Sequence, residues 1–119
     1  MTTADDDTEI TVQELHAACE AGEEFYLLDV RTVPEYEAGR LSFTDALVPY
    51  DQLHLFLDSL PSDRETKIYS FCRSGRRSGI TTEFLRAAGY RNARNVKGGI
   101  IDWIDAGYEI ESGPVEPPR

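Results

Sequence analysis

The sequence predicts an α/β domain built on a largely parallel sheet. Short apolar runs of strand length alternate with segments of helical period along the chain. The central runs are apolar throughout rather than alternating, the pattern of strands covered on both faces. With 119 residues and no internal repeat, one domain accounts for the whole pattern.

Each element has a local reason. Ile10 and Thr11 read as a short strand, and Thr11 with Glu14 forms a capping box for the helix that follows. Val12, Leu15 and Cys19 fall on one face of that helix, which places Cys19 as a small core residue, and Gly22 ends it. Phe25 to Val30 is a buried strand; Pro34 to Ala38 is one helical turn closed by Gly39. Asp45 to Val48 is a short strand ending at Pro49. Leu53, Phe56, Leu57 and Leu60 form a helical stripe stopped by Pro61. Lys67 to Phe71 is a strand, and Ser78 to Ala88 a helix packing Ile80, Phe84, Leu85 and Ala88 inward, with Gly89 at its end. Ala93 to Val96 is the last strand, and Gly98-Gly99 opens a final helix through Trp103, a core residue, to Gly107. Domain organisation is therefore an acidic flexible start over 1–9, a folded body over 10–108 and a Pro-rich flexible tail over 109–119.

The chain carries 22 acidic against 12 basic residues, a net charge of −10. That balance argues against nucleic acid or an anionic membrane as partner. The acidity is concentrated at the ends: residues 1–24 hold eight acids and no Lys or Arg, whereas 25–108 hold 11 acids and 11 bases. No apolar run approaches the length of a membrane span, and the polar acidic start is unlike a signal peptide. Two cysteines, with no CxxC, exclude a disulfide framework or a zinc ribbon and suit a reducing cytoplasm.

One strand-to-helix junction stands out in the neutral middle: Cys72-Arg73-Ser74-Gly75-Arg76-Arg77, then Ser78. Active crevices of open α/β sheets lie at the C-terminal ends of strands, where Cys72 sits. Backbone N–H groups of such a turn converge into an anion cradle, and three arginines add positive potential. Both effects favour the thiolate, the nucleophilic form of cysteine. Asp29 and Arg31, at another strand end, read equally as a salt bridge tying the sheet rim and as supporting residues of the site.

Read with its surroundings, this loop resembles that of the single-domain rhodanese (sulfurtransferase) family. Leu27 to Arg31 is similar to the family's LLDVR strand end, Glu35 to Gly39 to its E-Y-x-x-G turn, Cys72 to Ser78 to its C-R-x-G-x-R-S loop, and Gly98 to Trp103 to its G-G-[ILM]-x-x-W helix start. The four motifs stand in order between about Ile10 and Gly107. The resemblance implies a three-layer fold with helices on both faces of the sheet, and Cys72 as carrier of a sulfane sulfur. Arg73, Arg76 or Arg77 would steady a small anionic donor such as thiosulfate, and the N–H groups from Ser74 through Ser78 would hold the persulfide. Asp29 and Arg31 would help organise the loop. The acceptor would be cyanide or a thiol, a thioredoxin-like protein included. No metal or organic cofactor is implied. The chain departs from the family at Arg40 to Ala46, where Gly-His-Ile-Pro-Gly-Ala is expected and a longer Arg-Leu-Ser-Phe-Thr-Asp-Ala stands instead.

Three rivals fit less well. A cysteine phosphatase or arsenate reductase needs arginine six positions after the cysteine, where Ser78 stands. A Cys–His hydrolase would have to recruit His16 or His54, both on expected helices N-terminal to Cys72. A docking module or sulfur carrier of the same fold, without turnover, is the rival from another class; the carrier would need the same cysteine.

Overall fold

A computed structural model describes residues 8–114. Five strands, β1 (Glu9–Ile10), β2 (Tyr26–Asp29), β3 (Ala46–Leu47), β4 (Ile68–Phe71) and β5 (Arg94–Val96), form one sheet in the order β1-β5-β4-β2-β3, with every pairing parallel. Between them run α1 (Val12–Glu20), α2 (Val33–Ala38), two 3-10 turns (Tyr50–Leu55 and Leu57–Ser59), α3 (Arg76–Ala87) and, last, α4 (Gly99–Asp105).

Strand alternation sorts the core into two layers. Leu27, Tyr69 and Phe71 project to one face, where they meet Val12 and Leu15 of α1 and Ile100 and Trp103 of α4. Leu28, Ile68 and Cys72 project to the other, against Leu85 of α3 and Leu53 and Leu60 beside it. Helices thus cover both faces, as the sequence led us to expect. The register sets Asp29 beside Phe71 and Ser70 beside Asn95, so the C-terminal ends of β2, β4 and β5 share one edge of the sheet.

Several local expectations are corrected. In α3, Ile80 and Phe84 are exposed (54% and 38%), and Ser78, Thr81, Thr82 and Leu85 face the sheet. The helix begins at Arg76, two residues earlier than its apolar pattern indicated, and the closeness of sheet and helix favours small side chains over bulky ones there. In α1 the buried line is Val12, Leu15, Ala18; three-residue steps put Ala18 beneath the helix and the half-buried Cys19 on its flank. The expected helix over 53–60 is two 3-10 turns parted at Phe56. Only Leu53 and Leu60 of its stripe reach the core, so no continuous apolar face holds an α-helix.

The chain ends also differ from expectation within the described residues. Glu9 of the expected flexible start pairs with Asn95 in the sheet. The supposed free tail is tied down as far as Gly113. Arg40 and Glu111 exchange backbone hydrogen bonds, and the Gly113 N–H donates to the Glu37 carbonyl (2.8 Å). The remaining expectations for the ends fall on 1–7 and 115–119, outside the described residues.

The departing segment at 40–46 explains this clamp. The buried Arg40 guanidinium lies 5.1 Å over the Tyr36 ring and donates to the Gly113 carbonyl (3.0 Å). Leu41 is in the core, Phe43 packs between Phe25 and Trp103, and the Asp45 carboxylate accepts the Leu27 N–H (2.8 Å).

Candidate active site

Cys72 directly follows β4, on the α3 side of the sheet, and is 1% exposed. The chain then turns through Arg73 and Ser74 to Gly75, which caps α3 with φ +97°, a conformation that favours glycine. No side-chain oxygen caps this helix, so its leading N–H groups remain available. They are aimed at the sulfur: the Gly75 N–H donates to Cys72 Sγ at 3.1 Å and the Ser78 N–H at 3.4 Å. The Ser78 hydroxyl lies 3.2 Å from Sγ. The loop's carbonyls point the opposite way, where α4 receives them: the Ile100 N–H donates to the Cys72 carbonyl (3.0 Å) and the Ile101 N–H to that of Arg73 (3.2 Å).

This arrangement tunes the thiol. Burial pushes the Cys72 pKa up, but the Ser78 hydroxyl and the N–H groups of Ser78, Gly75 and Ser74 outweigh it, and the net shift is downward. Ionisation of Cys72 is thereby eased by hydroxyl and backbone donors rather than by a histidine. His16 is stacked on Tyr108 (centroids 4.0 Å apart) and His54 is exposed, so neither serves as partner to Cys72. Among the described residues no cluster of His, Cys, Asp or Glu could hold a metal ion.

The arginines of the loop do not act as one group. Arg77 makes a two-pronged pair with Glu35 of α2 (2.9 and 2.8 Å), which holds the Glu35 carboxyl down at about 2. Arg76 lines a separate groove with Thr8, Glu9 and Glu83. Arg73 is also exposed, in a groove of about 240 Å³ whose walls include Ile100, Ile104 and Ile110. The positive cluster expected from the sequence is thus divided among three surroundings.

Asp29 and Arg31 form a buried pair at the end of β2. The guanidinium grips the carboxylate (2.9 and 2.8 Å), donates to the Gly39 carbonyl (2.8 Å) and lies 5.6 Å over the Phe71 ring. Burial pushes the Asp29 carboxyl up, against the pull of Arg31. Arg31 Nη1 also donates to the Glu35 carbonyl (3.3 Å), so the pair ties the end of β2 to α2 and to the residue that closes it.

A comparison with known proteins identifies the group to which this geometry belongs. Residues 11–106 match the family model of the rhodanese-like domain. The chain belongs to the rhodanese-like domain family. A sulfurtransferase of Allochromatium vinosum is 37% identical over 74% of this chain and 79% of its own length. Thiosulfate sulfurtransferase 18 of Arabidopsis thaliana is 30% identical over 98% of this chain and 92% of its own. Among solved structures, a rhodanese-like domain protein from Staphylococcus aureus superposes with a TM-score of 0.75 at 33% identity, over 88% of this chain and 99% of that one. Other relatives are far longer, and this rhodanese-like chain spans only 22% and 24% of two of them.

Two residues at the site were not singled out from the sequence. Glu35 looked like part of a turn motif, yet it neutralises Arg77 across 42 positions of chain. Asn95 looked like an ordinary strand residue. A carboxamide in the last strand, just before Gly98-Gly99, was the available signal. Its carboxamide Oδ1 accepts from the Ser78 hydroxyl (2.6 Å) and its Nδ2 donates to the Gly75 carbonyl (3.0 Å).

Proposed function

We propose that this chain is a sulfurtransferase that takes a sulfane sulfur onto Cys72 as a persulfide and passes it to a thiophilic acceptor. The observation that carries the reading is the convergence of the Gly75 and Ser78 donors on Cys72 Sγ at an uncapped helix start. Donors so placed stabilise negative charge on sulfur before the reaction and again on the persulfide formed.

In the first half-reaction the Cys72 thiolate attacks the outer sulfur of thiosulfate. A bond forms between Sγ and that sulfur, the sulfur–sulfur bond of the donor breaks, and its electron pair leaves with sulfite. The persulfide carries the negative charge that the thiolate held. Arg73, exposed beside the loop, is the cation best placed to steady the anionic donor and the departing sulfite. In the second half-reaction an acceptor, cyanide or a thiolate, attacks the outer sulfur and releases the Cys72 thiolate, which completes a ping-pong cycle. Asp29 and Arg31 hold the neighbouring strand end while this occurs. The relative from Arabidopsis thaliana, by its name a thiosulfate sulfurtransferase, supports thiosulfate as donor. Two free thiols suit a reducing, cytoplasmic setting.

Thiocyanate formation from thiosulfate and cyanide tests the reading. Wild type is expected to turn over and Cys72→Ser to be inactive. Intact mass after thiosulfate treatment should show one added sulfur atom on wild type and none on Cys72→Ser. Equal gain in both proteins would overturn the persulfide mechanism, whereas sulfur gain from a different donor alone would keep Cys72 and replace thiosulfate.

A further inference from the structure

The Ser78 hydroxyl has a single hydrogen and two acceptors within reach, the Asn95 carboxamide oxygen at 2.6 Å and Cys72 Sγ at 3.2 Å. Both side chains are buried, Ser78 completely and Asn95 to 7% exposure, so water does not settle the competition. The amide cannot simply reverse. Its Nδ2 donates to the Gly75 carbonyl at 3.0 Å, and a flipped amide would set oxygen against oxygen there. Asn95 is thus held with its acceptor facing the Ser78 hydroxyl.

We propose that Asn95 is a positioning residue that holds the Ser78 hydroxyl hydrogen while Cys72 sulfur is uncharged and yields it to Sγ when the sulfur becomes a thiolate. This rests on Cys72 being the reactive group. While Sγ is a thiol, its hydrogen points to Ser78 Oγ, and the hydroxyl hydrogen lies on Asn95. Ionisation removes the thiol hydrogen, and Sγ becomes the stronger acceptor, so the hydroxyl turns toward it and leaves Oδ1 unpaired. Once sulfur is accepted, the inner Sγ is bonded on both sides and uncharged, and the hydroxyl returns to Asn95. The cost of leaving Oδ1 unpaired opposes ionisation, so Asn95 sets how far the Ser78 hydroxyl can lower the Cys72 pKa.

The charged groups on the elements that meet at this loop are Arg73 on the loop itself, Arg76 and Arg77 at the start of α3, the latter paired with Glu35 of α2, the Asp29–Arg31 pair at the end of β2, Lys97 just after β5 and Asp102 of α4. Neutral replacement of Asn95 leaves all of them in place.

The test reads the Cys72 pKa from the pH dependence of alkylation by iodoacetamide, a reaction that needs no sulfur donor. Carrying Cys19→Ser in every protein confines the signal to Cys72. Asn95→Ala is expected to lower the pKa, giving about threefold more thiolate at a pH below both values. In a Ser78→Ala background the same change should give no lowering, because no hydroxyl is left to be released. An unchanged or raised pKa in Asn95→Ala would overturn the proposal, as would an equal lowering in both backgrounds. If Asn95→Ala melts too early to titrate, Asn95→Val, which suits a strand, is read by the same criteria. Thiocyanate assays decide the sulfurtransferase reading separately: an active enzyme with no shift on Asn95→Ala refutes this inference alone.

Discussion

The connections from β2 to α2 and from β4 to α3 leave paired parallel strands at the same edge of the sheet, and they treat the N–H groups of the following helix in opposite ways. At the first, the Thr32 hydroxyl accepts the Glu35 N–H and the Glu35 carboxylate accepts the Thr32 N–H, a closed capping box. The cation that this turn itself carries, Arg31, is neutralised by Asp29. At the second, a left-handed glycine stands at the cap, no side chain closes it, and the free donors meet a sulfur atom. The two junctions have the same topology. What separates a structural junction from a reactive one is which atom accepts the first-turn N–H groups. Glu35 then links the two, since the carboxylate that caps α2 also holds Arg77 of α3.

The open junction depends on α4 as the capped one does not, and breaking that support gives the largest expected effect. Gly99 has φ +55°, and a Cβ there would lie 2.3 Å from the Cys72 carbonyl and 2.5 Å from that of Arg73. Those are backbone atoms, so the loop itself must move. Gly99→Ala is expected to destabilise the protein by about 3 kcal/mol or more and to reduce thiocyanate formation at least tenfold, as measured by urea unfolding and the coupled assay. Near-normal turnover would show that the Cys72 loop keeps its shape without α4.

The two junctions were not equally legible in the sequence. Thr11 and Glu14 are a local three-residue pattern that the sequence showed as a cap; Thr32 and Glu35 have the same spacing, although there only the turn from Pro34 was read, so caps and the alternation of strand and helix rest on near neighbours. Cys72 and its glycine were visible for the same reason. Charge partners were not. The loop's three arginines looked like one cationic cluster, but Arg77 meets Glu35 only because β2 and β4 are adjacent, and strand order is a long-range property. Asn95 reaches Ser78 and Gly75 through the pairing of β5 with β4. Inverted expectations in α3 have another origin. Periodicity shows that Ile80 and Phe84 share a helical face, yet the sheet lies against the small residues of the other face.

The link between the junctions has a pH signature. Glu35 is held at about 2 instead of 4.5, chiefly by Arg77. Its folded pKa is lowered, so its contribution is complete above about pH 4.5 and disappears as pH falls through about 2. Partial exposure of both partners reduces the expected size, and Glu35→Gln should cost about 1–2 kcal/mol at pH 7. The difference from wild type should narrow steadily between pH 4.5 and 2 in urea titrations. A constant difference across that range would mean that Glu35 acts through its shape in the capping box rather than through charge.

The smallest effect separates the junctions most sharply. Thr32 belongs to the structural one, its hydroxyl accepting the Glu35 N–H at 3.4 Å, a long bond on an exposed turn. Thr32→Ala removes that acceptor and should lower stability by about 0.5–1 kcal/mol. Thr32 also donates to Glu35 Oε1 (3.0 Å), but Arg77 keeps both carboxylate oxygens and the donors on Cys72 come from other residues, so thiocyanate formation per folded molecule should stay within about twofold of wild type. Urea unfolding and the assay, run on the same preparation, read both quantities. A larger loss of turnover than this would mean that the α2 cap positions Glu35, and through Arg77 the α3 start, so that the two junctions act as one device.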